Sequence, residues 1–277
     1  MNPRLGALLV LVLLAGCGTQ FVYNNMDWFV IDYVEDYVDL TDEQETVIIR
    51  RVDLWKDWLK QEELPTYKVH LQRLETMEPS QFTLAQLERE EQSFQQHTQR
   101  LISRAAPDVY ALTRQLSDEQ VNEFIDNLTD KQEDFRRKRE SRSDKQHREH
   151  YQERITERLE QWLGRLNDQQ HQLVRQWANE VEITSPAWIE HQRQMRSELH
   201  TLLIRRDDLT YFQPRFNRLM FNYDSYYSDE LTQKMAFNRN VARKKLVAIV
   251  RSMNSRQTRY FRDELSEWRA VFDKLDK

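Results

Sequence analysis

Glycine, cysteine and long apolar runs are scarce in this chain of 277 residues, which has four glycines and one cysteine. Average chains carry about 7% glycine, and sheets with tight turns use it at positive φ, so sandwiches, barrels and doubly wound folds are disfavoured. A single cysteine excludes a disulfide framework and cysteine-based structural zinc sites. Apolar residues make up 39% and charged residues 31%, as in amphipathic helices with one face in water. We therefore predict an all-α multi-helix bundle of capped amphipathic helices.

The beginning of the chain has the three parts of an export signal. Arg4 precedes an apolar run over residues 5–14, and small residues follow before Cys17. Ten apolar residues extend about 15 Å as a helix, roughly half of a bilayer core, so this run is too short to span a membrane. We predict that residues 1–16 are a signal peptide that is removed.

The Leu14-Ala15-Gly16-Cys17 sequence resembles the bacterial lipobox. This resemblance implies that Cys17 is acylated and begins a mature, lipid-anchored helical domain over residues 17–277. Several acyl chains, at about 0.8 kcal/mol per buried CH₂, hold a protein on a membrane where one chain is marginal. In lipoprotein sorting, Asp after the cysteine retains the protein at the inner membrane. Gly18 therefore implies the periplasmic face of the outer membrane, with the inner membrane as the alternative.

A short pattern that starts helices recurs along the mature domain. Thr, Ser or Asn followed three residues later by Gln is a capping box, in which the N-cap side chain accepts from the N3 amide and the Gln side chain reaches back. A preceding apolar residue can pack against the first turn, and each cap contributes about 1 kcal/mol. We predict helix N-caps at Thr41, Thr83, Ser117, Thr129, Asn167, Thr210 and Asn254.

Prolines and polar stretches indicate the remaining helix boundaries. Pro186 favours a helix start, Pro65 is expected to break the second helix, and Pro107 is expected to kink or divide the long helix that contains it. We also expect one long, polar, protruding helix around residues 129–164. The mature domain is either one bundle or two sub-bundles that divide near residues 129–165.

Residues 136–150 contain no apolar side chain and have an excess of positive charge. A basic surface of this kind suits phosphate-bearing headgroups, nucleic acid or an acidic client. Acids four residues away partly neutralise the charges and no aromatic residues interleave, so a solvated helix is the simpler interpretation and no nucleic acid partner is expected. The basic residues are Arg136, Arg137, Lys138, Arg139, Arg142, Lys145 and Arg148.

Two histidines and an aromatic-rich stretch are further candidates. His147 and His150 share a helix face, but no third ligand is identifiable, so we predict no metal site. The aromatic residues between Tyr211 and Tyr227 favour a core role over a groove for peptides or sugars. No catalytic motif, phosphate loop or dinucleotide fingerprint occurs. We therefore predict no catalytic residue and no cofactor, and we expect a protein that is not an enzyme.

Two family resemblances bear on function. The lipobox, followed by Tyr23-Asn24-Asn25, Asp27-Trp28 and Leu40-Thr41-Asp42-Glu43-Gln44, resembles an uncharacterised family of bacterial lipoproteins. The Leu-Thr-x-x-Gln motif resembles the Spy/CpxP periplasmic proteins, which implies a chaperone or a modulator of stress sensing. We expect a non-enzymatic protein that binds or scaffolds envelope components. Its partners would be the membrane, through Cys17, and an unknown envelope component. The alternatives are a Spy-like chaperone and a peptidoglycan-active enzyme.

Overall fold

The computed structural model describes residue 21 and residues 23–275, which form helices and turns without a strand in that part of the chain. The all-α prediction is confirmed. The predicted signal peptide and Cys17 lie outside the described residues. In chain order, α1 to α11 span Met26–Glu35, Asp42–Trp58, Leu64–Glu75, Leu84–Arg114, Asp118–Glu140, Asp144–Leu163, Asp168–Glu180, Ser185–Ile204, Leu209–Phe221, Asp229–Arg251 and Ser255–Leu275.

Three apolar clusters join helices that are remote in sequence. The first packs α3 against α11, the second joins α4, α8 and α9, and the third joins α6, α7 and α10. Each fully buried Leu, Ile or Phe side chain contributes about 1.5–3 kcal/mol relative to an exposed one. The buried members are Leu64, Trp268, Val271, Phe272 and Leu275 in the first cluster, Ala106, Leu202, Phe212 and Phe216 in the second, and Leu163, Leu166, Val174 and Ile249 in the third.

Capping boxes begin many of these helices. In each, the N-cap side chain accepts from the N3 amide, and the N3 glutamine oxygen accepts from the N-cap amide. A further box, at Ser143 and Gln146, starts α6. No apolar residue precedes Ser143, whereas one precedes each predicted N-cap. The predicted boxes that the structure contains lie at Thr41, Thr83, Ser117, Asn167 and Asn254.

Two of the predicted N-caps are wrong. Thr129 lies inside α5, where its hydroxyl donates to a carbonyl one turn earlier at 2.7 Å. The helix predicted to start at Thr210 begins at Leu209, with Asp208 as its N-cap. The Asp208 carboxylate accepts from the Tyr211 amide and the Thr210 hydroxyl. A carboxylate suits the positive end of a helix better than a hydroxyl, which explains the shift.

The α-helix ends before Pro65, where a π turn rather than a loop follows, whereas Pro107 does not divide its helix. A π-helical turn over Leu59–Glu63 joins α2 to α3, and the Leu64 amide donates to the Leu59 carbonyl five residues back. Pro65 has no amide, and in an α-helix its ring would clash with the carbonyl four residues earlier, so a wider turn accommodates it. Helix α4 passes Pro107 undivided, and the proline is exposed, so water can solvate the carbonyl that loses its partner.

The polar stretch around residues 129–164 forms two helices rather than the single helix expected. Helix α5 ends at Glu140, and the Ser143 cap starts α6. The two then pack on different neighbours, α5 along α8 and α6 along α7. The cap explains the break, because a serine hydroxyl that bonds the N3 amide requires a non-helical backbone at its own position.

Candidate functional site: a buried chain of histidines and carboxylates

A continuous chain of ionisable side chains is buried where the π turn and α3 face α4. His97 Nδ1 contacts the Glu63 carboxylate, and His97 Nε2 lies 3.3 Å from His70 Nδ1. His70 Nε2 lies 2.7 Å from the Glu90 carboxylate. Glu63, His97 and His70 are only 1%, 2% and 4% exposed. We call these four residues the histidine–carboxylate chain.

An arginine that reaches solvent holds each end of this chain. Arg100 donates to both oxygens of Glu63 at 2.7 and 2.9 Å, and Arg73 donates to both oxygens of Glu90 at 3.1 and 2.7 Å. Bidentate, charge-assisted hydrogen bonds of this kind are among the stronger ones in proteins. They are needed here, because an ionised carboxylate buried without partners costs several kcal/mol.

The π turn helps to set which side chains of this segment are buried. Glu63 and Leu64 are adjacent in sequence and both buried. Because a π turn is wider than an α turn, successive side chains lie at a smaller angle and can share one side of the helix. One turn later, the Tyr67 ring stacks on His97 with centroids 3.9 Å apart. π turns often occur at functional sites, which marks this region as the candidate site.

Burial and hydrogen bonding shift the pKa values of these groups in definite directions. Burial alone raises the pKa of the Glu63 carboxyl, but hydrogen bonds from Arg100 and His97 outweigh it, so the pKa lies below its ordinary value. Burial lowers the pKa of His70 despite the opposing carboxylate of Glu90. Burial also raises the pKa of Tyr67 to about 12. Near neutral pH, Glu63 is therefore ionised and His70 is neutral.

Nδ1 of His97 has two neighbours that require opposite proton arrangements. Its contact with Glu63 needs a proton on Nδ1, whereas Arg100 Nη2 lies 2.7 Å away and needs a lone pair there. Neutral His70 donates from Nε2 to Glu90, and its Nδ1 accepts from His97 Nε2 in either case. A carboxylate acceptor and a guanidinium donor therefore both contact the same ring nitrogen of His97.

Two pairs of capping boxes contact each other through their glutamines. Gln44 of α2 and Gln120 of α5 donate to each other's side-chain oxygens at 3.1 and 2.8 Å. Gln170 of α7 and Gln257 of α11 do the same at 3.2 and 2.7 Å, and both are fully buried. Each amide nitrogen also donates to a backbone carbonyl. These paired glutamine boxes give the pattern of an N-cap followed three residues later by Gln a structural role in joining helices.

The predicted basic residues are mostly engaged with their own surroundings. Arg148 donates to three carbonyls at the end of α7, and Arg139 lies over the Phe135 ring, 3.5 Å from its centroid. Lys138 is exposed and Arg142 is half-buried. Others form ion pairs along the helix that carries them, namely Arg136 with Glu133 and Glu140, Arg137 with Asp134, and Lys145 with Glu149. Much of the positive charge is thereby neutralised locally.

The two histidines of α6 lie in different environments. His147 is 6% exposed, with its ring tilted against Tyr151, whereas His150 is half-buried and 4.0 Å from Glu153. Across residue 21 and residues 23–275, no group of three or more His, Cys, Asp or Glu side chains could hold a metal ion.

The aromatic-rich stretch divides between a core and the surroundings of a third histidine. Phe212 and Phe216 are buried in the second apolar cluster. Tyr223 and Tyr227 pack edge-to-face on His191, and the Tyr223 hydroxyl lies 2.9 Å from His191 Nε2. Burial lowers the pKa of His191 and raises that of Tyr223 to about 12. These rings therefore pack against protein groups, as the core interpretation expects.

The sequence patterns considered above do not single out the histidine–carboxylate chain. Its local signal is weak, since His70 and His97 each lie three residues after an aromatic residue, Tyr67 and Phe94, at a spacing typical of a buried helix face. Pro65 marks a disturbed helix nearby. The contact between the histidines, however, depends on how α3 faces α4, which no local pattern encodes.

Comparisons with known proteins place most of the chain in one group. A model of a family of unknown function (DUF6279) matches residues 36–232. That range contains the whole histidine–carboxylate chain and the Gln44–Gln120 pair, but only Gln170 of the other pair. The comparisons with curated proteins and with solved structures find no match. Among the described helices, none is long and apolar enough to cross a membrane.

Proposed function

We propose, from the premise that this chain belongs to the family of unknown function DUF6279, that it is a lipid-anchored envelope protein that binds or scaffolds other envelope components and is not an enzyme. The observation that carries the proposal is the Leu14-Ala15-Gly16-Cys17 sequence after a short apolar run. Gly18 favours the outer membrane as the site of anchoring.

The environments of the candidate acids and bases support a non-enzymatic role. Glu140, which precedes a serine as in some peptidoglycan-cleaving lipoproteins, is exposed and pairs with Arg136 at 2.7 Å. An exposed, paired carboxylate lacks the desolvation that a general acid requires. In the histidine–carboxylate chain, all four ring nitrogens contact other groups of the protein. A catalytic base must instead reach the proton of a substrate.

An apolar surface beside the histidine–carboxylate chain supports a binding role. Phe94 packs on the His70 ring with centroids 4.7 Å apart, yet 52% of this phenylalanine is exposed. Val69, which precedes His70, is 65% exposed. Exposed apolar side chains occur at protein interaction sites. Val69 and Phe94 are therefore our first choices for contact with a partner.

Membrane fractionation and mass spectrometry of the mature chain test the anchor. We expect acylated Cys17 in the wild type and release from membranes on Cys17→Ser. Gly18→Asp is the matched control, which should keep the acyl chains and move the protein toward the inner membrane. A Cys17→Ser protein that still floats with outer membranes in high salt would contradict the anchor.

In-cell photo-crosslinking tests the binding role. A crosslinker in place of Val69 is expected to capture a discrete envelope partner, whereas one in place of Thr232, also exposed, is not. Zymography on cell-wall material and suppression of client aggregation distinguish the two alternatives. A lytic band would favour the peptidoglycan-active enzyme, and strong suppression at equimolar ratio would favour the Spy-like chaperone.

A further inference from the structure

An aromatic patch lies on the first described helical turns. The Phe29 ring meets those of Trp28 and Phe21 edge-to-face, with centroids 4.8 and 6.2 Å apart. Phe21 is 59% exposed and Trp28 is 56% exposed. Exposed aromatic rings in contact with one another present a large apolar area to solvent, which favours a partner that covers it. We call these three residues the aromatic patch.

The position of the aromatic patch in the chain argues that this partner is a lipid surface. Phe21 follows Cys17 by four residues, and four extended residues span at most about 14 Å. Backbone hydrogen bonds from Asn25 to Phe21 and from Phe29 to Asn25 continue the helical path, so Trp28 lies only about 10 Å further along. Acyl chains on Cys17 would therefore hold the aromatic patch within reach of the headgroups.

The distribution of charge agrees with this placement. Asp27, the first acid after Phe21, forms an ion pair with Lys56 of α2 at 3.7 Å. The remaining acids of α1 are further along the sequence from Cys17, so their negative charge lies away from the anchored end of the chain. Aromatic residues, and tryptophan above all, are enriched at the membrane–water interface, because an apolar ring with a polar edge suits the headgroup level. The acids of α1 that follow Asp27 are Asp32 and Glu35.

Helix α1 is also joined firmly enough to α2 to transmit an orientation. The Tyr23 hydroxyl donates to the Lys56 carbonyl at 3.1 Å, and the pair of Asp27 with Lys56 acts at the same point. We infer that the aromatic patch inserts its rings among the headgroups of the bilayer that carries Cys17, and thereby fixes how the helical body stands on the membrane. This inference rests on the proposed lipidation of Cys17.

A single fluorescent label tests the inference in the full lipoprotein. Cys17 is the only cysteine, so a cysteine introduced at the exposed Asn24 (Asn24→Cys) is the one free thiol once Cys17 is acylated. The protein is labelled with an environment-sensitive dye and reconstituted into vesicles of phosphatidylethanolamine and phosphatidylglycerol. We expect a blue shift and protection from an aqueous quencher at this position. The same label on Thr232→Cys should show neither change.

Variants show whether the aromatic rings cause the protection. Phe21→Ser with Trp28→Ser should abolish the blue shift at position 24 while the protein still floats with the vesicles. Phe237→Ser, which alters another exposed aromatic residue at 43% exposure, should leave the shift intact.

Three results would overturn the inference. A water-exposed label at position 24, with acylated Cys17 verified by mass spectrometry, would refute it and leave the proposed anchor standing. Equal shielding of the label at position 232 would mean that the whole body lies on the lipid, so the patch would have no special role. Absence of acyl mass on Cys17 would overturn the proposed anchor and this inference together.

Discussion

The paired glutamine boxes and the histidine–carboxylate chain are both buried polar networks, but only the second contains ionisable groups. A glutamine amide carries a donor and an acceptor on one side chain, and each pair of boxes uses both fully without any charge. In the histidine–carboxylate chain, Nδ1 of His97 faces a carboxylate and a guanidinium at once. A neutral network of this kind therefore fixes where helices begin, whereas an ionisable one makes stability depend on protons.

Removing the carboxylate of Glu63 should have the largest effect on stability. Glu63→Ala leaves His97 and Arg100 without their shared acceptor, and breaking a buried ion pair costs about 3–5 kcal/mol. Urea unfolding at neutral pH measures the loss. Glu62→Ala is the matched control, because Glu62 is exposed and accepts one hydrogen bond from Trp58, so it should cost less than about 1 kcal/mol. Similar losses for both variants would show that the histidine–carboxylate chain does not stabilise the fold.

Breaking a glutamine pair should cost less, and the two positions should be coupled. Gln170→Ala leaves the Gln257 side chain and the Asn167 amide short of partners, and an unsatisfied buried polar group costs about 1–3 kcal/mol. The double variant Gln170→Ala, Gln257→Ala should lose less stability than the sum of the two single variants. In the double variant, neither glutamine remains to be left without its partner. Chemical unfolding of all three proteins gives this coupling, and strict additivity would contradict the pairing.

The pH dependence of stability should separate the two networks. Because the pKa of His70 is lowered in the fold, the unfolded chain binds a proton below about pH 6.5 that the folded chain does not. This contribution is present above that pH and is lost as the pH falls toward the folded pKa. The lowered pKa of Glu63 adds a second loss below its ordinary value of 4.5. Stability should therefore decrease from pH 7 to pH 5 and further in acid.

Variants can show which residues cause this dependence of stability on pH. His70→Gln should reduce the difference in unfolding free energy between pH 7 and pH 5, whereas Gln170→Ala should lower stability equally at both. Part of the slope should survive in His70→Gln, since burial also lowers the pKa of His191. An unchanged slope in His70→Gln would show that His70 does not titrate as described.

The smallest expected effect compares a threonine that caps a helix with one that does not. Thr83→Ala removes the acceptor of the Gln86 amide and should cost about 0.5–2 kcal/mol. Thr129→Ala lies inside α5, where alanine has the higher helix propensity, so stability should stay the same or rise slightly. Thermal melting of both variants decides, and an equal loss in the two would contradict the placement of Thr129.

These comparisons show which parts of the molecule a local pattern can predict. The boxes at Thr41 and Asn167 follow from four residues each, because a cap is a local hydrogen-bond arrangement. Thr129 satisfies the same pattern but lies inside a helix, since α5 is already under way and nothing interrupts it. The glutamines of the two pairs are separated by 76 and 87 positions in the sequence. Their contacts, like the contact of Glu63 with His97, depend on tertiary packing, which no local pattern predicts.

The pairing of Gln170 with Gln257 also has a consequence for the order in which the chain assembles during synthesis. The Gln44–Gln120 pair can close once α5 has emerged, but the second pair must wait for α11, which also covers the apolar side of α3. Until α11 has emerged, the apolar side of α3 lacks the helix that covers it in the folded chain. Helix α11, the last described helix, therefore holds α3 in place. Deletions in α11 should destabilise the packing of α3, almost two hundred residues earlier in the chain.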